Sequence, residues 1–169
     1  MTASTRRAAL GAILAAPLAS VPAVAAPERA DYRARLLAAY ADDRACRPIN
    51  CVAAFGSFEE EVCGQILLHT WAVQTEVATL PPPATLEGLA LAAIATALAW
   101  EGEDPKSESK DACAIGLIRA VLAFTGATMP AGFIGFADEP DHMARDRAVH
   151  DERPGRLAAW AVAQVQSCA

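Results

Sequence analysis

The sequence predicts an all-α protein, an irregular bundle of four to six helices that follows an N-terminal signal peptide. Apolar residues recur at three- and four-residue spacing in several segments of the 169-residue chain, and a sustained alternation of apolar and polar residues occurs nowhere. Prolines, glycines and capping residues separate these segments. Residues 26–169 are expected to form a single helical domain, because a chain of 144 residues is long enough to bury one core.

The first 25 residues have the pattern of an export signal. Arg6 and Arg7 form a short basic region, no charged residue follows until after Ala26, and small residues at 23–25 supply a cleavage site. Two prolines make the segment a poor membrane span. The paired arginines fit twin-arginine export, and Ala9, where such signals usually carry Phe, leaves the general secretory route open. Either route predicts a periplasmic or secreted protein.

The segment Ser57–Leu80 is predicted to be the helix around which the other helices pack. Ser57 and Glu60 form a capping box, and the acidic run 59–61 favours the positive end of the helix dipole. Three prolines directly after Leu80 end the helix. Between the acidic run and the prolines only Glu76 is charged. We therefore expect this helix to be buried on nearly all sides.

Apolar stripes predict further helices at about residues 27–46, 85–100, 109–124 and 155–166, with a short charged helix at 141–150. The link of three prolines favours an antiparallel hairpin between the central helix and the next one. Leu117 and Trp160 are expected on the inward faces of their helices. The aperiodic segment 127–140 is expected to be a loop that Phe133, Ile134 and Phe136 fasten onto the bundle.

The charge balance limits the classes of partner. Without Arg6 and Arg7 the chain keeps 12 basic residues against 20 acidic ones, a formal charge of −8. No basic stripe interleaved with aromatic residues is present, so nucleic acid is not an expected partner. Anionic lipid headgroups repel such a surface, so no membrane binding is expected after signal cleavage.

Five cysteines fit an oxidising compartment. Cys46 and Cys51 flank four residues that look like a turn, which makes them the easiest pair to bridge. Cys113 and Cys168 would close a longer loop and remove more entropy from the unfolded chain. The sequence leaves the pairing open, because two bridges and one free thiol can be drawn in fifteen ways. No zinc-ribbon spacing, no haem-attachment motif and no dinucleotide motif occurs, and no cofactor is expected.

The three histidines are the candidate chemical groups. His69 lies in the apolar stripe of the central helix, where it is either a core histidine or the general base of a hydrolase, with Cys113 as a thiol partner. His142, Asp146 and His150 share one face if their segment is helical, and two imidazoles with a carboxylate suit zinc or another divalent metal. The alternative for this second group is a solvated helix face.

Two stretches carry a family resemblance. The residues Arg6-Arg7-Ala8-Ala9-Leu10-Gly11 and Ala84-Thr85-Leu86-Glu87-Gly88-Leu89 resemble small exported alphaproteobacterial proteins with twin-arginine-type signals. That group implies no activity and no functional residues.

Export, acidity and the lack of a catalytic motif favour a non-enzymatic module that binds another envelope or exported protein. An immunity-like protein is one form of this function. The alternative is a metal-binding protein or a metal-dependent hydrolase.

Overall fold

The computed structural model describes residues 26–106, 109–151 and 154–168, and within these ranges it contains six α-helices and no strand. The predicted all-α class is thereby confirmed. The predicted signal peptide lies outside the described residues. The helices are α1 (Ala26–Asn50), α2 (Phe58–Ala78), α3 (Leu86–Ala99), α4 (Ser109–Thr125), α5 (His142–Asp151) and α6 (Ala159–Cys168).

Capping residues determine where the second and third helices begin. The Ser57 hydroxyl accepts a hydrogen bond from the Glu60 amide at 3.2 Å, and the Glu60 carboxylate accepts from the Gly56 amide at 2.9 Å. Thr85 caps α3 in the same way, with its hydroxyl 3.1 Å from the Gly88 amide. Both caps satisfy backbone donors that the first turn of a helix leaves unpaired.

The helices pack in a chain of neighbours. α2 contacts α1, α3 and α6, α3 also contacts α1 and α4, and α5 rests on α1. The helix buried most completely is α3, because its small side chains let the neighbouring helices approach on nearly every side. Its buried residues are Gly88, Ala90, Leu91, Ala93, Ile94, Ala95, Ala97 and Leu98.

The prediction that α2 is buried nearly all round is wrong. Leu68, His69 and Trp71 are exposed on its outer side. The buried arc of α2 includes Thr70 and Gln74, about one residue step round the helix from His69. Thr70 can be buried because its hydroxyl lies within hydrogen-bond distance of two carbonyl oxygens, that of Ala39 at 3.0 Å and that of Ile66 at 2.9 Å.

The loop between α4 and α5 is fastened to the bundle as expected. Ile134 and Phe136 are buried, and Phe133 packs edge-on against Phe136. The Arg119 side chain adds an ion pair with Asp138 at 2.7 Å. The loop therefore closes over the side of α3 and α4.

A buried polar network joins α1 to the end of α3. The Glu101 carboxylate accepts hydrogen bonds from the Tyr40 hydroxyl at 2.8 Å, the Ile134 amide at 2.7 Å and Arg44 Nη2 at 2.7 Å. Arg44 is also 2.9 Å from Asp43 and lies over the Tyr40 ring. Burial is the main reason that the pKa of Tyr40 is raised. These contacts fix the loop, α1 and the α3 terminus relative to one another.

Candidate functional site

The side chains of Cys51 and His150 meet at the surface, 99 positions apart in the chain. Cys51 directly follows α1 and is exposed, and His150 lies in the last turn of α5. Cys51 Sγ is 3.2 Å from His150 Nδ1. A thiol and an imidazole at hydrogen-bond distance are the first requirement for an activated cysteine.

Asp146 completes a row of three groups. Its Oδ1 lies 3.3 Å from His150 Nε2, on the opposite side of the imidazole ring from the thiol. Asp146 and His150 are one helical turn apart, so α5 itself holds them together. A carboxylate on one ring nitrogen orients the imidazole and fixes which nitrogen carries the hydrogen.

The packing of α5 on α1 brings the histidine to the cysteine. After α5 the chain returns to α1, where the Arg156 amide donates to the Ala45 carbonyl at 2.8 Å. Gly155 fits against Ile49 so closely that a Cβ atom there would collide with the Ile49 side chain. At its start, α5 is held by Arg145, which pairs with Glu139 at 2.8 Å. The two helix ends are thus fixed side by side.

The backbone amides around Cys51 are occupied by their own turn. The Cys51 amide donates to the Arg47 carbonyl at 3.0 Å, and the next two amides donate to the Ile49 carbonyl at 3.1 and 2.9 Å. Amides engaged in this way are not available to stabilise an oxyanion beside the thiol. The local geometry therefore favours chemistry in which negative charge stays on sulfur.

The three residues predicted as a metal set are only partly brought together. Asp146 and His150 are in contact. The Nε2 atom of His142 is instead buried near Gly102 and has no hydrogen-bond partner among the described residues. No group of three His, Cys, Asp or Glu side chains in the described ranges is arranged to hold a metal ion. The contact between His150 and Cys51 was not predicted, because the two residues are 99 positions apart and no local sequence pattern joins them.

His69 is at the surface and not in the core. Its ring packs against Trp160, with centroids 4.9 Å apart, and Trp160 is itself partly exposed, contrary to the prediction that it faces inward. Cys113 cannot reach His69, because α4 has no contact with α2 in the described part of the chain. The structure therefore does not assemble the predicted pair of Cys113 and His69.

All five cysteines are free thiols in this structure, and neither predicted bridge is formed. α1 continues through Pro48 to Asn50, so Cys46 and Cys51 point about 140° apart around the helix axis. Cys113 and Cys168 are exposed on α4 and α6, which do not touch each other within the described ranges. Cys46 is instead the neighbour of Cys63, whose Sγ lies 3.8 Å from the Cys46 carbonyl oxygen.

The Cys46 and Cys63 thiols are shielded from water. Burial raises the pKa of Cys46 to about 12, and burial likewise raises the pKa of Cys63. Both side chains belong to the core between α1, α2 and α6. They are therefore kept as neutral thiols, unlike an activated cysteine.

The outer face of α4 is a second surface feature. The outer face of α4 consists of Cys113, Leu117, Ala120 and Phe124, which follow one another at spacings of four, three and four residues. Leu117 is 67% exposed and Phe124 is 75% exposed, so the prediction that Leu117 faces inward is wrong. Ile115 and Ile118 form the buried face instead, and α3 is the one helix that α4 contacts in the described part of the chain.

Comparisons of the chain with protein-family models, curated proteins and solved structures gave no match. Its function has to be argued from its own side chains and surfaces. No helix in the described ranges is both long and apolar enough to cross a membrane.

Proposed function

We propose that this chain is an exported, non-enzymatic protein that binds another protein of the cell envelope through the outer face of α4. The observation that carries the proposal is the exposure of Leu117 and Phe124, two large apolar side chains spaced two turns apart on one face. Exposed apolar groups that form a contiguous patch are typical of protein interaction sites. The export signal pattern at residues 1–25 supports the location.

The shape of this face suits a helix as the occupant. Leu117 and Phe124 stand as projections, and the small residues Cys113, Gly116 and Ala120 leave depressions between and beside them. Projections that fit into depressions are the basis of packing between helices. A partner helix that carries an apolar stripe can therefore lie along α4.

The negative charge of the chain indicates which residues should surround the apolar stripe of the partner helix. From residue 112 to residue 125 the only charged residue is Arg119, whose guanidinium is bound to Asp138. The contact itself is therefore apolar, whereas residues 26–169 carry a formal charge of −8. We propose a partner helix whose apolar stripe is edged by basic residues, since complementary charge speeds association and excludes wrong partners. An exported toxin with such a helix would make this chain immunity-like.

Photo-crosslinking in native cells tests the proposal. A photoreactive amino acid is placed at Leu117 and, as the matched control, at Ala38, which is exposed on α1. A protein adduct is expected from position 117 and not from position 38. An adduct of twice the chain's own mass would show that a second copy covers the face, and it would overturn the proposal, as would the same adducts from both positions.

A charge-insertion pair adds a measurement of affinity for the crosslinked partner. Leu117→Glu places a charge at the proposed contact, and Ala38→Glu places the same charge on another exposed helical surface. Burying a leucine side chain contributes about 2 kcal/mol, so Leu117→Glu is expected to weaken binding by about 30-fold. Equal affinities for the two variants would contradict the assignment of this face.

A further inference from the structure

We propose that Cys51 is a reactive thiol that exchanges with disulfides, with His150 as its proton acceptor and Asp146 as the residue that positions His150. Three observations place these groups together: the thiol is exposed, its sulfur is 3.2 Å from Nδ1, and Nε2 is 3.3 Å from the Asp146 carboxylate. This function is independent of partner binding by α4.

The order Cys51, His150, Asp146 sets the direction of proton transfer. The Asp146 carboxylate lies 3.3 Å from Nε2, and its negative charge favours the ring tautomer that carries the hydrogen on Nε2. Nδ1 is then left with a lone pair that faces the thiol of Cys51. The imidazole can therefore remove the proton from sulfur without any change of rotamer.

The surroundings of the thiol select the class of substrate. Acyl transfer needs donors for an oxyanion, and the amides of residues 51–53 are engaged with the carbonyls of Arg47 and Ile49. Disulfide exchange needs no such donors, because its charge passes from sulfur to sulfur. Val52 and Phe55 are 83% and 98% exposed in the loop that begins at Cys51, so the approach is open and apolar.

The exchange step is balanced without another oxidant. The proton of Cys51 moves from Sγ to His150 Nδ1, and the sulfur forms a bond to one sulfur of the incoming disulfide. The disulfide bond of the substrate breaks, and its second sulfur leaves as a thiolate that takes the proton from His150. The products are a mixed disulfide on Cys51 and one free thiol, so the substrate disulfide is the oxidant.

The chain contains its own matched controls. Cys113 and Cys168 are exposed like Cys51, but neither has a histidine as a hydrogen-bond partner among the described residues. The probe is dithiodipyridine, a neutral aromatic disulfide, because a charged probe would respond to the acidic surface. Each thiol is followed by mass spectrometry in the full-length folded protein. Cys51 is expected to react about tenfold or more faster than Cys113, as positioned bases commonly provide.

Variants separate base catalysis from simple exposure. His150→Gln keeps a polar side chain but removes the base, and it is expected to lower the Cys51 rate to that of Cys113. Added imidazole is expected to restore the Cys51 rate in His150→Ala and to leave Cys113 unchanged. Asp146→Asn, which keeps an acceptor, should retain more of the rate than Asp146→Ala. Reaction of the buried thiols Cys46 and Cys63 in each variant reports any general loss of folding.

Two further substrates distinguish the source of the disulfide. Glutathione disulfide represents a small molecule, and a folded protein with one exposed disulfide represents another protein. Faster reaction of Cys51 than of Cys113 is expected, and the better substrate of the two identifies the source. Equal rates at Cys51 and Cys113 in the wild-type protein, or no effect of His150→Gln, would overturn the proposal. Disulfide mapping by mass spectrometry that finds Cys51 already bridged to Cys46 would also overturn the proposal.

Discussion

Replacing Glu101 by Gln is expected to destabilise the protein strongly, because this carboxylate is the acceptor at the centre of the buried network. Its side chain is 4% exposed and accepts from three donors, those of Tyr40, Ile134 and Arg44. A glutamine offers one acceptor oxygen and one NH2 group. Whichever way the amide is turned, its NH2 group will face either Arg44 or the Ile134 amide, which can only donate.

The expected loss follows from burial and charge. Arg44 is 10% exposed, and in the part of the chain that the structure describes it would keep one neighbouring carboxylate, that of Asp43 at 2.9 Å. Removing one partner of a buried ion pair costs about 3–5 kcal/mol, because the other charge stays buried. We expect Glu101→Gln to lower the free energy of unfolding by about 3 kcal/mol, near the lower end since Asp43 remains.

An ion pair with the same shortest distance at the protein surface supplies the control. Arg35 and Glu76 form an ion pair at 2.7 Å, but their side chains are 42% and 43% exposed. Such pairs contribute about 0–1 kcal/mol, so Glu76→Gln should change little. Urea unfolding followed by far-UV circular dichroism measures both variants. Losses of similar size for Glu101→Gln and Glu76→Gln would refute the reasoning.

Two further predictions concern pH and the glycines. The Cys46 thiol has a pKa of about 12 in the folded protein and an ordinary value near 9 when unfolded, so stability should fall as pH rises from about 9 to about 12. Cys46→Ala should remove about 1.4 kcal/mol per pH unit of this slope in denaturation at alkaline pH, and an unchanged slope would contradict it. Gly135 and Gly56 both have positive φ, but a Cβ at Gly135 would collide with Glu139, whereas Gly56 faces open space. The Glu139 carboxylate can turn away from a Cβ at Gly135, but it then loses its ion pair with Arg145. Gly135→Ala should therefore lower the free energy of unfolding more than Gly56→Ala, by about 0.5–1 kcal/mol in urea unfolding, and the reverse order would contradict this packing.

Features decided within a few residues could be predicted from the sequence. The cap at Ser57, the cap at Thr85 and the prolines after Leu80 act on neighbouring backbone groups, and the structure confirms them. The burial of Phe136 in the long loop was also predicted, because large apolar side chains in a loop can leave water only by packing on the bundle.

Features that depend on helix rotation or distant contacts could not be predicted. α1 continues past Pro48 although the proline removes one i→i−4 hydrogen bond, and this continuation separates Cys46 from Cys51. The buried arc of α2 is rotated away from His69. The stripe of apolar residues could not predict this rotation, because apolar residues lie on the other sides of α2 as well. The contact between Cys51 and His150 joins two helix ends that only the folded chain brings together.

The most direct test of the central claim is the affinity of the proposed envelope partner for Leu117→Glu relative to Ala38→Glu. Leu117 is 67% exposed, so its replacement should change the free energy of unfolding by no more than about 0.5 kcal/mol. We predict that Leu117→Glu binds the partner about 30-fold more weakly while both variants unfold alike. Equal binding by two equally stable variants would contradict the claim that the outer face of α4 is the binding surface.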